Sequence, residues 1–270
     1  MIIQERVQDV LAQNLSGSQM PGYKREDVVI RSFPDVLLNE TYRGLTPTTN
    51  KPRYNHAIGR VGTGAGVDWS YVDHSPGSYR YTGNDSDFAI SGDGYFVVNT
   101  PDGNRFTRQG TFIVDRDGYL VTPQGYRLMG RGADPNNPAG PQNQQPIQVG
   151  TQDFHVNQFG EVYARQFDPA AGQFQNQFVD QIMITDFENK DMLFREPGSY
   201  FRVEPGDTDN FTIPDRFSVM QGYIEQANSQ PTTEMVKLID SYRIHQASSR
   251  VIRALDQTLG RAVNDVGRPS

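Results

Sequence analysis

The sequence predicts a mainly β protein with terminal helices: an all-β domain inserted between an N-terminal helix and a long C-terminal helix that pair as a coiled coil. Three observations carry this prediction. Sustained helical spacing of apolar residues occurs only near the two ends of the chain. The middle consists of short apolar or aromatic runs divided by Asp-Gly and other glycine turns. Finally, 26 Gly, 17 Pro and 11% aromatic residues beside only 36% hydrophobic residues suit aromatic-filled strands and turns better than an α/β enzyme core.

The first helix is predicted from residue 2 to about residue 16, because Ile3, Val7, Val10, Leu11 and Leu15 lie three or four apart. Gly17 stops it and Pro21-Gly22 turns the chain. A second, short amphipathic helix is expected from Ser32, with Ser32 as cap, Asp35 three residues on, and Phe33, Val36 and Leu37 on its buried face. Residues 44–87 are rich in Gly, Pro and Tyr and show no period. They are expected to form irregular strands that bury Trp69, Tyr71, Tyr79 and Tyr81.

From residue 88 to about residue 213 the pattern is β throughout. Strands are predicted at 95–98, 111–114, 119–121, 154–156, 161–164, 179–185 and 200–203. Asp102-Gly103, Asp117-Gly118, Phe159-Gly160 and Ala171-Gly172 are the corners between them. Residues 131–145 form a loop by composition. From Thr232 the character changes, with no proline and a single glycine, Gly260, before Val266. Thr232 or Thr233 is placed to cap a helix and Glu234 to sit in its first turn. Ile244, Ser248, Val251, Leu255, Leu259, Ala262 and Val266 form a stripe on that helix. Such a stripe needs another helix to cover it, and the N-terminal helix is too short to cover all of it. The surplus points to other subunits. Residues 1–24 with 228–270 are therefore expected to form one helical domain, residues 25–67 an extended connector, and residues 68–227 the β-rich domain.

Several function classes are disfavoured. A net charge of −7 supplies no clustered cations for nucleic acid. The chain has no cysteine, hence no disulfide, thiolate metal site or cysteine nucleophile. No membrane insertion is expected, since no apolar run reaches spanning length, and no cleaved signal is expected, since the start lacks a basic and then apolar stretch. Asp115-x-Asp117-Gly118 and Asp85-x-Asp87 begin like a calcium loop, but the former lacks the later ligands and closing Glu, so turn formation explains it better. Asp87, Asp93 and Glu161 could supply a glycosidase pair only by the chance that attends 32 acidic residues. His56, His74, His155 and His245 are scattered without metal-ligand spacing. Gly62-x-Gly64-x-Gly66 lacks the Lys-Ser/Thr ending of a phosphate loop. No catalytic residue, cofactor or metal site is expected.

Three stretches together resemble the flagellar hook–basal body family, the axial proteins of the bacterial rod and hook. In "VQDVLAQNLSGSQMPGYKRE", Asn14, Leu15, Pro21, Gly22, Tyr23 and Lys24 match the family's N-terminal signature, while Gln13, Ser16, Gly17 and Met20 depart from it. The central block "DFAISGDGYFVV…FTRQGTFIVDRDGYLVTPQGYRLMG" matches at Asp87, Ala89, Ile90, Gly92, Gly94, Phe96, Thr107, Arg108, Gly110, Phe112, Asp115, Gly118, Leu120, Val121, Gly125 and Gly130. In the C-terminal helix, Glu225, Asn228, Glu234, Met235, Val236, Ile239, Arg243, Val251, Ile252 and Asp256 fit. Family chains begin with further helical turns ahead of the position of Met1, so either the start lies upstream or this subunit has a shorter first helix.

The resemblance implies a structural subunit of the flagellar basal-body rod, of proximal-rod or distal-rod type, serving motility and having no enzymatic activity. It implies self-assembly through Val7, Val10, Leu11, Asn14, Leu15, Ile244, Val251, Leu255, Leu259 and Val266. It also implies type III export without signal cleavage, with Phe33 and Leu37 as a candidate export-gate motif, an outer β shell, and family-motif turns at Gly22, Gly92, Gly94, Gly110, Gly118 and Gly125. The expected partners are other copies of the chain, other rod and hook proteins and the flagellar export apparatus. The alternative reading is a secreted β-rich adhesin or carbohydrate-binding protein using Trp69 and the tyrosines, which leaves the terminal helices unexplained.

Overall fold

The computed structural model describes residues 2–33, 36–40, 56–62, 64–132, 144–150, 153–168, 173–203, 211–212, 214 and 216–266. Two helices flank a series of strands: α1 (Ile2–Gly17) and α2 (Pro231–Val266). The chain divides into two compact units, one drawn from residues 1–10, 26–71 and 238–270 and the other from residues 11–25 and 72–237. Each unit thus takes residues from both ends of the chain.

The first unit holds β1 (Glu26–Ser32), β2 (Val36–Glu40), β3 (His56–Val61) and β4 (Ala65–Val72). β1 pairs with β4, and β2 runs antiparallel to β3. The Phe33 amide donates to the Gly64 carbonyl at 2.9 Å, and Arg31 meets Asp68 at 2.9 Å. The helix expected from Ser32 is not formed: Ser32 ends a strand, and Val36 and Leu37 lie in the next one. Val28, Val29 and Ile30 are β-branched and favour a pleated surface, and Pro34 denies a donor to the first turn that a Ser32 cap would need. Phe33 is exposed, contrary to the buried face expected for it. Trp69, at 58% exposure, and Tyr71 are likewise on the surface rather than buried, as are Tyr79 and Tyr81 on another two-stranded sheet. A two-stranded sheet has no second layer of its own to cover them. In the same unit the Ser241 hydroxyl of α2 donates to Gln4 Oε1 of α1 at 3.1 Å.

The second unit is the β domain: β5 (Tyr79–Tyr81), β6 (Phe88–Gly92), β7 (Tyr95–Thr100), β8 (Gly103–Thr107), β9 (Ile113–Val114), β10 (Leu120–Val121), β11 (Arg127–Gly130), β12 (Gln145–Pro146), β13 (Phe154–Val156), β14 (Glu161–Asp168), β15 (Gln173–Gln181), β16 (Ile184–Phe187), β17 (Phe194–Glu196), β18 (Tyr200–Arg202), β19 (Phe211–Thr212), β20 (Phe217–Gln221) and β21 (Tyr223–Glu225). Its main sheet has the order β17-β18-β8-β7-β11-β10-β9, with β16 also on β7, β12 on β11 and β19 on β16. β13, β14 and β15 make an antiparallel meander, while β20 pairs with β6 and β21 with β5. The strand expected over 179–185 is split. β15 ends at Gln181, the Ile182 and Met183 amides donate to Gly160 and Met129, and β16 then joins β7 in a different sheet.

β7 is the centre of the packing. Phe96 and Val98 enter one core with Phe88, Phe112, Leu120 and Leu128, whereas Tyr95 and Val97 enter another with Phe106, Phe187 and Phe201. Successive side chains of a strand point to opposite faces, so a strand buried on both sides reads as the unbroken run Tyr-Phe-Val-Val. The expected corners at Asp102-Gly103, Asp117-Gly118 and Phe159-Gly160 stand between β7 and β8, β9 and β10, and β13 and β14. At the second, the Gly118 amide donates to Asp115 O at 2.9 Å and the Asp115 amide to Tyr119 O at 2.8 Å, closing a tight turn. Ala171-Gly172 lies outside the described residues.

Candidate functional site: the apolar face of α2 and a buried ionic cluster

α2 runs for 36 residues, about 54 Å at ~1.5 Å per residue, against 16 residues in α1. Ile244, Val251, Leu255 and Leu259 are all more than half exposed. So are Ile239, Tyr242 and Val263 beyond the stripe, and Ile252 is nearly so. At roughly 100° per residue, Ile252 and Val263 widen the Ile244–Leu259 stripe, whereas Ile239 and Tyr242 lie on the other side of the helix. Val266 is the last residue of α2. On α1, Val10 and Asn14 are buried, and Val7, Leu11 and Leu15 are half-buried.

Gly92, Gly94, Gly118 and Gly125 take positive φ at strand ends and turns. Gly110 is fixed by proximity: the Phe88 amide donates to its carbonyl at 2.8 Å, and a Cβ there would overlap the Phe88 carbonyl oxygen. Gly22 combines φ +68° with a Cβ position that would strike the Arg108 backbone.

A set of polar residues meets beside Gly22 and Gly92, all within the second unit. Lys24 and Glu225 are each only 1% exposed at the side chain and meet at 2.6 Å. Lys24 Nζ also donates to Ser75 O at 2.8 Å. Glu225 Oε1 accepts from the Gly77 amide at 3.0 Å, and its Oε2 from Arg108 Nη1 at 3.3 Å. Arg108 reaches on to Ile90 O and Gly92 O, with its guanidinium 5.2 Å from the Tyr95 ring centroid. The carboxylate thus has three donors and two cations, the pairing that a buried charge requires. Burial holds the Lys24 ammonium below the ordinary lysine range, outweighing the opposing pull of Glu225.

The cluster's wall contains two further titratable groups. Burial, with the cations of Lys24 and Lys190 adding to it, lowers the His74 pKa to about 4. His74 Nδ1 lies 2.7 Å from the Tyr95 hydroxyl, whose own pKa is pushed well up by burial. Both groups are therefore neutral, and the His74 tautomer sets which of them donates. For Asp73, burial works upward, but hydrogen bonds from Ser75 and the Arg25 cation prevail and lower its pKa. In the sequence, Lys24, Arg108, Glu225 and Asn228 each match the family pattern, but nothing there joins them in a site.

The family model described as the flagellar hook protein FlgE/F/G D1 domain matches residues 89–164, from β6 through most of β14. That described as the flagellar basal body rod FlgEFG protein C-terminal matches residues 220–265, from the end of β20 through nearly all of α2. The flagellar basal-body rod protein FlgG of Agrobacterium fabrum is 31% identical over 258 residues, covering 92% of this chain and 89% of that protein.

The chain belongs to the flagellar hook–basal body family of rod proteins.

Similarity extends to FlgG of Bacillus subtilis, 27% identical over 267 residues, with 95% of this chain and 92% of that protein aligned. The flagellar hook-basal body complex protein FlhO of the same organism is 24% identical over 284 residues, covering 99% of this chain and 96% of that protein. This rod-family chain is a structural component of the flagellar basal body, serving motility, and is not an enzyme. Among the described residues, no three His, Asp or Glu side chains gather where they could hold a metal ion. No described helix is long and apolar enough to cross a membrane.

Proposed function

We propose that this rod subunit assembles with copies of itself and with other rod and hook proteins through α1 and α2, which pair as a coiled coil in a tubular drive shaft. The observation that supports this reading is the exposed apolar face of α2, with Leu255 at 56% exposure and Ile244, Val251 and Leu259 beside it. Ile239 and Tyr242 on the other side of the helix call for more than one neighbour. A helix that is apolar around much of its circumference is stable only when covered. Each covered Val or Leu contributes roughly 1.5–3 kcal/mol before ordering costs. The β domain then forms the outer shell, and Val7, Val10, Leu11, Asn14, Leu15 and Val266 complete the packing of the terminal helices. The chain reaches this position through the flagellar export apparatus, incompletely folded and without signal cleavage. Phe33, exposed after β1, and Leu37 of β2 are the candidate segment read by the export gate.

Leu255→Asp tests the assembly reading. It places a charge in the proposed contact and leaves the β cores untouched. The expected result is a chain with wild-type circular dichroism that is absent from isolated basal bodies. Normal incorporation of the variant would overturn the role given to α2.

A further inference from the structure

Residues 22–25, Gly-Tyr-Lys-Arg, follow the turn after α1 as a segment whose main-chain and side-chain groups are captured one after another. The Gly22 amide donates to Glu225 O at 2.8 Å, and Tyr23 O accepts from the Asn228 amide at 3.2 Å. Lys24 O accepts from Arg195 Nη2 at 2.8 Å, and the Arg25 amide donates to Asn228 Oδ1 at 2.7 Å. Arg25 O accepts from the Asp73 amide at 2.9 Å. The side chains are selected as well as the backbone. The Arg195 guanidinium sits 3.9 Å from the Tyr23 ring centroid, Lys24 fills the pit of Glu225 and Ser75, and Arg25 meets Asp73 at 3.1 Å. Asn228 Nδ2 donates to Asp73 O at 2.7 Å, tying the two walls of this groove together.

We infer that Asp73, Ser75, Arg195, Glu225 and Asn228 form a peptide-recognition site whose ligand is a Gly-aromatic-Lys-Arg segment entered through a turn at the Gly, and that its occupancy makes the ordering of the chain's two ends interdependent. The walls come from three regions of the sequence: the stretch ahead of β5, β17, and the end of β21 with the link from it to α2. Without the segment, Glu225 keeps only Arg108 as a cation, and Asn228, three residues ahead of α2, loses both of its contacts to the segment. The geometry also sets a selectivity rule. The Lys24 pit is closed and its ammonium already touches two acceptors, so the longer, planar Arg is excluded there. Asp73 remains partly exposed, so Lys can replace Arg25.

The test uses the full chain carrying Gly22→Val, Tyr23→Ala, Lys24→Ala and Arg25→Pro, which displaces the segment's backbone through the clash of a Cβ at position 22 with the Arg108 backbone, removes the Arg25 amide and so vacates the site, and a fluorescein-labelled synthetic peptide of residues 20–27. The variant is expected to bind the peptide at least about tenfold tighter than the wild type, whose site is filled. The peptide with Lys24→Arg should bind at least about tenfold more weakly than its parent, and that with Arg25→Lys about equally. A folded variant that fails to bind the peptide, or binds the Lys24→Arg peptide equally well, overturns the proposal. If the variant does not fold, hydrogen exchange of the wild type decides. The Gly22, Arg25, Asp73 and Asn228 amides should be protected together, and exchange of the first two at exposed-loop rates overturns the inference. These readouts concern the isolated chain and are separate from polymer incorporation.

Discussion

Lowering the pH from about 7.5 to about 5 should destabilise the β domain through His74, and the size of the effect follows from its surroundings. The His74 pKa is about 4 in the folded chain against 6.5 for the free side chain, with burial the largest cause and the Lys24, Lys190 and Arg108 cations outweighing Asp73. The folded pKa is depressed, so between these values the unfolded chain binds the proton and the folded chain does not. Stability is therefore fully present above about pH 6.5 and is lost as the pH falls toward about 4. The whole interval corresponds to about 3 kcal/mol, of which about 2 kcal/mol is lost by pH 5. His74→Gln supplies an amide that can either donate to or accept from the Tyr95 hydroxyl, and removes the titration. Urea unfolding followed by near-ultraviolet circular dichroism, at both pH values, isolates the histidine from the carboxylates common to both proteins. With an m value of roughly 3 kcal/mol/M, the wild-type midpoint should fall by about 0.7 M more than that of the variant. Parallel falls in the two proteins would refute the reasoning and place the acid sensitivity elsewhere.

Two other outcomes distinguish the roles of the turn residues. Gly110→Ala should cost about 3 kcal/mol or more in thermal or urea unfolding, because the Phe88 backbone must move from a contact that leaves no room for a Cβ. Gly125→Ala meets no atom within 4 Å and strains only φ, so it should cost roughly 1 kcal/mol; equal losses at the two sites would contradict this division. Calcium should leave the melting temperature unchanged relative to chelator, since Asp115 and Asp117 form a turn and no described cluster gathers acidic ligands. A calcium-dependent rise would restore these aspartates as a metal site.

The elements that were legible in the sequence are those fixed by local spacing. Ile3, Val7, Val10, Leu11 and Leu15 mark α1, and the stripe from Ile244 to Leu259 marks α2, because helical periodicity needs no knowledge of the partner. Tyr95–Val98 was legible as a strand because a run buried on both faces keeps its apolar character at every position; β7 continues beyond it to Thr100. The failures came where local signals competed. Ser32 with Asp35 resembles a cap, yet β-branched neighbours and Pro34 give strands on either side. Trp69 and Tyr71 look like core residues by composition, but their sheet has only two strands. Residues 179–185 look like one strand, and only the change of sheet at Ile182 and Met183 divides them.

By itself, the sequence determined the terminal helices, the β character of the middle, the turn role of the Asp-Gly pairs and the family signatures. Each depends on residues close together in the chain, or on motifs that survive without their context. Only the tertiary structure decided that Lys24 and Glu225, 201 positions apart, share one buried site with Arg108 and that Asn228 holds the segment beside them. A lone Lys or Glu in a sequence carries no sign of its partner. Burial makes that partner obligatory, since a charge withdrawn from water must find its counter-charge and hydrogen bonds inside the protein.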